Sequence, residues 1–156
     1  MGGPEVGRFV EMVCTNMRST RKPGKGRYGL RCNENGVLID DGVVARRDEE
    51  TFLCHTTTGG AESIHGHMEE WLQTEWWDWK VYVANVTEQY AQIGIAGPTS
   101  RKVLEKLTDD DVSAEALTFM GWKDITRPLY TSDAADARSR VALGGCQNTV
   151  TQDTQR

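Results

Sequence analysis

The apolar residues nearest the start of the chain recur at helical spacing. Within Pro4–Val13 they form one stripe, made of Val6, Phe9, Val10 and Val13. Proline suits the first turn of a helix because its missing N–H group would have no partner there. The pattern therefore predicts a short amphipathic helix over Pro4–Val13.

From Arg27 onward the pattern changes to that of β-strands. Short runs rich in apolar and β-branched residues follow one another, at Arg27–Cys32, Val37–Ile39, Val43–Ala45 and Thr51–Thr58. Between the first two runs, Asn35 and Gly36 form a dipeptide that favours positive φ angles and is a strong hairpin signal. The segment is predicted to be an antiparallel meander.

From Ala61 onward, segments with helical spacing of apolar residues alternate with segments that have the alternation of strands. A helix is predicted from Ala61 to about Trp76, followed by strands at Lys80–Val86 and Gln89–Ala96. Gly97–Ser100 then opens another helix, which is predicted to run to Leu107. This order of elements implies an α+β fold, with an antiparallel sheet and flanking helices.

Charge and composition exclude several classes of protein. The 156 residues carry 18 Lys and Arg against 23 Asp and Glu, a net charge of −5, so no basic face is available to neutralise nucleic-acid phosphates. No run approaches the roughly 18–20 apolar residues that a membrane helix needs. The start of the chain also lacks the basic and apolar regions of a secretion signal. We therefore expect a cytoplasmic protein that binds neither nucleic acid nor membrane.

The four cysteines also indicate a cytoplasmic protein. They are scattered without the spacing of a zinc site or of a redox pair, at Cys14, Cys32, Cys54 and Cys146. Such cysteines are typical of reduced, mostly buried thiols in a cytoplasmic protein.

One cluster of tryptophans and one pair of histidines can each be interpreted as a ligand site or as ordinary packing and surface residues. The tryptophans of Trp76–Trp79 could stack a ligand, but indoles between a helix and the next segment more often pack at the boundary of a core. His65 and His67 could suggest a metal, but residues two apart do not share a helix face. The simpler interpretation is favoured in both cases, and no metal site is predicted.

The most suggestive polar feature is the pair Asp40 and Asp41, which stands between two apolar strand segments. Neighbouring residues of a strand point to opposite faces, so one carboxylate must face inward and the other outward. A buried carboxylate needs a partner or a task. The alternative from periodicity alone is a solvated turn aspartate.

A series of short motifs in one order carries a family resemblance. They are Cys14–Met17, Gly24–Leu30, Asp40–Val43, Thr56–Ala61, Met68–Trp76, Lys80–Val83, Val86–Gln89, Gly97–Arg101 and Glu115–Met120. Together, from about Gly3 to Ile125, they resemble the aminomethyltransferase-type region of sarcosine oxidase alpha subunits. The wider family is that of folate-dependent aminomethyltransferases, with the glycine-cleavage T-protein and dimethylglycine oxidase.

The resemblance implies a function in one-carbon transfer. In this family an amine is oxidised to an imine at a flavin, or arrives on a lipoyl arm, and tetrahydrofolate captures its one-carbon unit as 5,10-methylenetetrahydrofolate. The expected function is thus that of a tetrahydrofolate-binding region of a sarcosine oxidase alpha subunit, an oxidoreductase. The alternatives are a glycine-cleavage-type aminomethyltransferase and a folate-binding module without transfer chemistry.

The resemblance also implies the cofactors and the partners. In sarcosine oxidase alpha subunits the dinucleotide-binding half precedes the region that this chain resembles, so flavin and NAD are expected only on other regions or on partner subunits. The expected partners are tetrahydrofolate and the other subunits of a hetero-oligomeric sarcosine oxidase.

Four residues are predicted for the folate site by their match to the family. The second aspartate of the pair is the functional one in the family, so Asp41 is predicted to be catalytic and to bind folate, with Asp40 as its outward-facing neighbour. Tyr28 matches a tyrosine on the wall of the folate site. Val43 and Thr57 are predicted to line it.

The family pattern ends before the chain does. Residues 1–126 are therefore predicted to be a partial folate-binding domain, and residues 127–156 a non-native or disordered tail, because Leu129–Asp136 resembles the translation of a sequencing adapter. The alternative for the tail is a natural disordered segment. Since further folate contacts lie later in the family sequence, we expect the chain alone to be inactive and to bind folate weakly or not at all.

Overall fold

The structure is a computed structural model that describes residues 1–16, 22–126, 138–144 and 147–153. The chain divides into two compact units, Met1–Asn85 and Val86–Arg156. Each unit has its own cluster of buried apolar residues. In the part of the chain that is described, no helix is long and apolar enough to cross a membrane.

The first unit begins with helix α1, Val6–Val13. Its four stripe residues Val6, Phe9, Val10 and Val13 are all buried, which confirms the predicted amphipathic helix. The helix begins two residues later than the prediction.

An antiparallel sheet of three strands follows, in the order β1–β2–β3: β1 is Lys25–Cys32, β2 is Leu38–Arg46 and β3 is Phe52–Cys54. The predicted meander is confirmed, although β3 is shorter than the predicted Thr51–Thr58. The turn between β1 and β2 is closed by the Asn33 side chain, which accepts hydrogen bonds from the N–H groups of Asn35 and Val37. Gly36 has a φ of 76°, as the Asn-Gly signal requires.

Helix α2, Ala61–Thr74, covers one face of this sheet after a 3₁₀ turn at Thr58–Gly60. Ile64, Met68 and Leu72 point from α2 into the core that α1 shares with Val44 and Phe52. The helical spacing of these apolar positions predicted the buried face of α2 correctly.

The predicted strand Lys80–Val86 is not formed. Only Tyr82 pairs with another segment, through two backbone hydrogen bonds with Gly2 of 2.9 and 3.0 Å. The ladder cannot continue because the chain enters α1 a few residues after Gly2. The apolar alternation is used for packing instead, since Val81 and Val83 lie against the core and Tyr82 is exposed.

The second unit contains a four-stranded antiparallel sheet in the order β4–β7–β6–β5. Its strands are β4, Tyr90–Ala96; β5, Trp122–Thr126; β6, Arg138–Gly144; and β7, Gln147–Asp153. The predicted strand at Gln89–Ala96 is confirmed as β4. Helix α3, Ser100–Leu104, ends three residues before the predicted Leu107. Leu104, Val112, Leu117 and Ile125 form the core of this unit.

The mixture of helices with two antiparallel sheets confirms the α+β fold class. Strands β6 and β7 lie within residues 127–156, the segment that sequence analysis assigns to a tail. The adapter-like stretch Leu129–Asp136 lies outside the described residues. The assignment of this segment to a non-native or disordered tail stays a prediction.

Candidate functional site

The hairpin of β1 and β2 presents two different faces. Arg31 lies opposite Asp40 in the register, and Leu30 lies opposite Asp41. The register shifts beyond Arg31, where Cys32 pairs with Leu38 and leaves Ile39 without an opposite residue. Strand alternation therefore sends Asp40 to the face that carries the core residue Val44, and Asp41 to the other.

Asp40 is buried, which corrects the prediction that it faces outward. Its carboxylate oxygen Oδ2 lies 2.7 Å from Nη1 of Arg31, and both side chains are 1% exposed. Its other oxygen, Oδ1, accepts hydrogen bonds from the hydroxyl and the N–H of Thr57, at 2.8 and 3.2 Å. The inward carboxylate thus has the counter-charge and the donors that burial requires.

Arg31 was missed by the sequence analysis. Its second amino group, Nη2, donates to the carbonyl oxygen of His55 at 2.9 Å and to Sγ of Cys54. The available signal was a basic residue in the first strand of a hairpin whose second strand carries two acids. A simple two-residue turn at Asn35 and Gly36 places Arg31 opposite Asp40, so this pairing could have been read from the predicted hairpin.

Asp41 lies on the opposite face, next to Tyr28. The Tyr28 hydroxyl donates a hydrogen bond to Oδ2 of Asp41. Tyr28 is directly opposite Val43, so the tyrosine and the aspartate are diagonal neighbours within reach of each other. The hydrogen bond to Asp41 raises the pKa of Tyr28 above its ordinary value of 10.0, with smaller contributions from desolvation and from the negative charges of Asp41 and Asp40.

We call this surface, made of Tyr28, Leu30, Asp41 and Val43, the outer hairpin face. It combines an aromatic ring that is 53% exposed, a leucine that is 39% exposed and a carboxylate held by a hydroxyl. Three of the four predicted site residues therefore lie together. The fourth, Thr57, binds Asp40 on the inner side instead.

Gly42 allows the sheet and the following loop to approach each other closely. Its φ is +155°, and a Cβ atom placed there would lie 2.3 Å from the carbonyl oxygen of His55. This is the same carbonyl oxygen that Arg31 binds. Glycine at this position is therefore required for β2 to pack against the end of β3 with Asp40 and Asp41 on their observed faces.

The two histidines of α2 make separate contacts. Nε2 of His65 lies 3.9 Å from a carboxylate oxygen of Glu69, and the ring of His67 packs edge-on against Trp71. Among the described residues, no group of three or more His, Cys, Asp or Glu side chains could hold a metal ion. Of the cysteines that the structure describes, Cys14 is buried, whereas Cys32 and Cys54 are half-buried, so burial is less complete than predicted; Cys146 lies outside the described residues.

The tryptophans pack on one another at the end of α2. Trp76 stacks on Trp71 and on Trp79, with ring centroids 5.5 and 5.1 Å apart, and Phe9 meets Trp76 edge-on. The guanidinium of Arg8 lies 4.2 Å above the ring of Trp79. Trp76 and Trp79 both contact the first core, which confirms the prediction of boundary packing.

Residues 1–132 match the family model described as the GCVT N-terminal domain. The chain belongs to the GCVT family. The match covers all of the first unit, including both aspartates and Tyr28, and reaches into the second.

The curated relatives of this GCVT chain include sarcosine oxidases. Sarcosine oxidase subunit alpha from Corynebacterium sp. (strain U-96) is 42% identical over 145 residues, which cover 92% of this chain and 15% of that protein. The protein of the same name from Rhizobium meliloti (strain 1021) is 36% identical, over 92% of this chain and 14% of its own length. The chain thus spans about one seventh of these relatives.

Aminomethyltransferases are also similar to the GCVT chain. The aminomethyltransferase of Oceanobacillus iheyensis is 28% identical over 158 residues, which cover 90% of this chain and 42% of that protein. Among solved structures, the glycine cleavage system aminomethyltransferase T from Bartonella henselae matches with a TM-score of 0.74 at 18% identity. That match covers 97% of this chain and 37% of the other, and it establishes the fold.

Proposed function

We propose that this chain is a tetrahydrofolate-binding region of a sarcosine oxidase alpha subunit, in which the outer hairpin face contacts the folate. The proposed activity of the whole protein is to oxidise sarcosine and to pass its one-carbon unit to tetrahydrofolate. The product is 5,10-methylenetetrahydrofolate.

The observation that carries this proposal is the hydrogen bond from Tyr28 to Asp41 on the outer hairpin face. A carboxylate held in place beside an exposed aromatic ring suits a flat heterocycle that carries amine nitrogens. Val43 and Leu30 add apolar surface on the same face. These residues form one wall of a site, which agrees with the expectation that further contacts come from elsewhere.

Tetrahydrofolate, when bound, supplies the nucleophilic amines that accept the carbon. The task of Asp41 is then to orient one amine and to hold its proton while the nitrogen becomes a nucleophile. Tyr28 keeps the carboxylate in position, and its ring packs against the folate. Thr57 has an indirect part in this arrangement, because it fixes Asp40 rather than Asp41.

The sarcosine oxidase type is favoured over the glycine-cleavage type by the degree of similarity. Identity is 42% with the Corynebacterium protein and 28% with the Oceanobacillus aminomethyltransferase, over similar shares of this chain. Flavin and NAD are then proposed to bind other regions or partner subunits. A hetero-oligomer with these subunits, in the cytoplasm, is part of the same proposal.

A chimera tests the proposed function. This chain would replace the matching 145-residue stretch of the Corynebacterium sp. (strain U-96) subunit, assembled with its partner subunits. Sarcosine turnover and 5,10-methylenetetrahydrofolate yield would be measured for the chimera and for its Asp41→Ala variant. Glu34→Gln, which removes an exposed charge at the tip of the hairpin, is the matched control.

We expect Asp41→Ala to reduce the folate product by about 10²-fold or more, the usual size of an acid–base contribution, while sarcosine oxidation continues. Glu34→Gln is expected to leave the yield unchanged. An unchanged yield in Asp41→Ala would remove this residue from the chemistry. If tetrahydrofolate still bound in that case, the alternative of a non-catalytic folate-binding module would be favoured.

A further inference from the structure

Two identical side chains compete for one buried position in the hairpin. Asp40 and Asp41 are adjacent and carry the same group, so their own side chains do not determine which of the two faces inward. A slip of one residue confined to the turn end of β2, with Gly42 and Val44 kept in place, would turn Asp41 inward and Asp40 outward. The unpaired residue Ile39 lies directly beside the pair, so β2 already carries an irregularity at which such a slip could occur.

The counter-charge of Arg31 distinguishes the two aspartates. Arg31 is 1% exposed, and one of its amino groups is bound to the His55 carbonyl oxygen, which fixes the guanidinium within the unit. Its other amino group pairs with Asp40 in the observed register. A buried guanidinium without a carboxylate is costly, so one of the two aspartates must meet it.

The Asp40 carboxylate completes this arrangement with its second oxygen. Thr57 donates two hydrogen bonds to it from the loop after β3. The pair therefore ties together β1, β2 and that loop. Asp41 is left on the outer hairpin face, where only Tyr28 among the described hydrogen bonds contacts its carboxylate.

We propose that Arg31 is a positioning residue, which pairs with Asp40 and thereby fixes the register that places Asp41 beside Tyr28. Arg31 does not contact the proposed folate. Its effect is on which of the two carboxylates is presented to the folate, so the inference rests on the proposed function and extends it.

The pKa of Tyr28 is the readout, because it reports the contact with Asp41 and needs no ligand. It can be measured in the full chain by NMR titration of ¹³C-labelled tyrosine, with Tyr28→Phe to assign the signal. In the unaltered chain we expect a pKa above the ordinary value of 10.0. In Asp40→Asn, the unpaired guanidinium should draw Asp41 inward, and the pKa of Tyr28 should fall to about 10.

A double variant is the rescue test. In Arg31→Met/Asp40→Leu the buried charge is gone, and the apolar residue 40 favours the inner face, so the observed register and the raised pKa should return. Arg46→Met, which removes the half-buried guanidinium that pairs with exposed Glu49 at the other end of β2, is the matched control and should leave the pKa of Tyr28 raised.

A raised pKa of Tyr28 in folded Asp40→Asn would overturn the proposal, since Arg31 would then have only a structural role. If Asp40→Asn does not fold, Arg31→Gln takes its place: without the guanidinium neither aspartate is selected for the inner face, so the pKa of Tyr28 should fall towards about 10, and a pKa that stays raised would overturn the proposal. Failure of the proposed function would appear separately, as an unchanged folate product in Asp41→Ala. The tyrosine titration would still decide whether Arg31 positions Asp41.

Discussion

Asp40 and Asp41 are consecutive residues that point to opposite faces of one hairpin. Asp40 is paired with Arg31 at 2.7 Å inside the first unit. Asp41 accepts a hydrogen bond from Tyr28 on the outer hairpin face. The same chemical group therefore contributes to stability at one position and is available for chemistry at the next.

Stability should distinguish the two aspartates. Asp40→Ala removes the counter-charge that buried Arg31 has in the observed register and should lower the free energy of unfolding by about 3–5 kcal/mol. Asp41→Ala loses one hydrogen bond on the outer hairpin face and should cost about 1 kcal/mol. Urea unfolding of both variants measures the difference. Equal losses would mean that the Arg31–Asp40 pair contributes nothing specific.

Tyr28 should make stability depend on pH in the alkaline range. Its pKa is raised in the folded chain by the hydrogen bond to Asp41, above the ordinary value of 10.0. The hydrogen bond therefore contributes its full stability below pH 10, and this contribution is lost as the pH rises through the folded pKa. Tyr28→Phe should remove that part of the pH dependence.

The check is urea unfolding between pH 9 and 11, as a difference between the unaltered chain and Tyr28→Phe. Tyr82→Phe, which alters another exposed tyrosine of the first unit, is the matched control. A Tyr28→Phe chain that loses stability with the same slope as the unaltered chain would contradict this assignment of the hydrogen bond.

Gly42 should not tolerate a side chain. A Cβ atom there would lie 2.3 Å from the His55 carbonyl oxygen, so Gly42→Ala should lower the free energy of unfolding by more than about 1 kcal/mol. Gly66→Ala is the contrasting variant. Gly66 lies on the exposed side of α2 with no atom within 4 Å of the added methyl group, and the change should stabilise the helix by about 1 kcal/mol.

Thermal unfolding of the two alanine variants should therefore move the melting temperature in opposite directions. A Gly42→Ala chain as stable as the unaltered one would mean that β2 does not need its close approach to the end of β3.

The tryptophan stack should stabilise the end of α2. Trp76 makes ring contacts with Phe9, Trp71 and Trp79, and each such contact contributes about 0.5–1.5 kcal/mol. Trp76→Leu should therefore cost about 1.5–4.5 kcal/mol in urea unfolding. Trp77→Leu, at a position that is 77% exposed, should change stability by less than about 0.5 kcal/mol. Similar losses in the two variants would refute the role of the stack.

Sequence analysis predicted well those elements whose spacing of apolar residues, or whose turn, depends only on residues close together in the sequence. α1 and α2 have apolar stripes at helical spacing, and the Asn35-Gly36 turn determines its own hairpin. The segment Lys80–Val86 has the alternation of a strand, but no neighbouring segment is long enough to pair with it. Its partner, Gly2, is distant in sequence. The alternation of apolar and polar residues in Lys80–Val86 does not show how long the segment around that partner is.

The candidate site was predictable in its composition and not in its arrangement. The family match indicated Tyr28, Asp41 and Val43, which do share a face. The orientation of Asp40 was predicted wrongly because it depends on a residue across the sheet, Arg31, which pairs with it. Thr57 was assigned to the folate site, but its hydroxyl is bound to Asp40, a contact that only the folded loop creates.

The stack of Trp71, Trp76 and Trp79 also has an optical consequence. Ring centroids 5.1 and 5.5 Å apart are close enough for the excited states of the three indoles to couple, so light absorbed by one is shared by all. In ultraviolet spectroscopy the three stacked indoles of the first unit should therefore behave as one coupled group rather than as three independent chromophores.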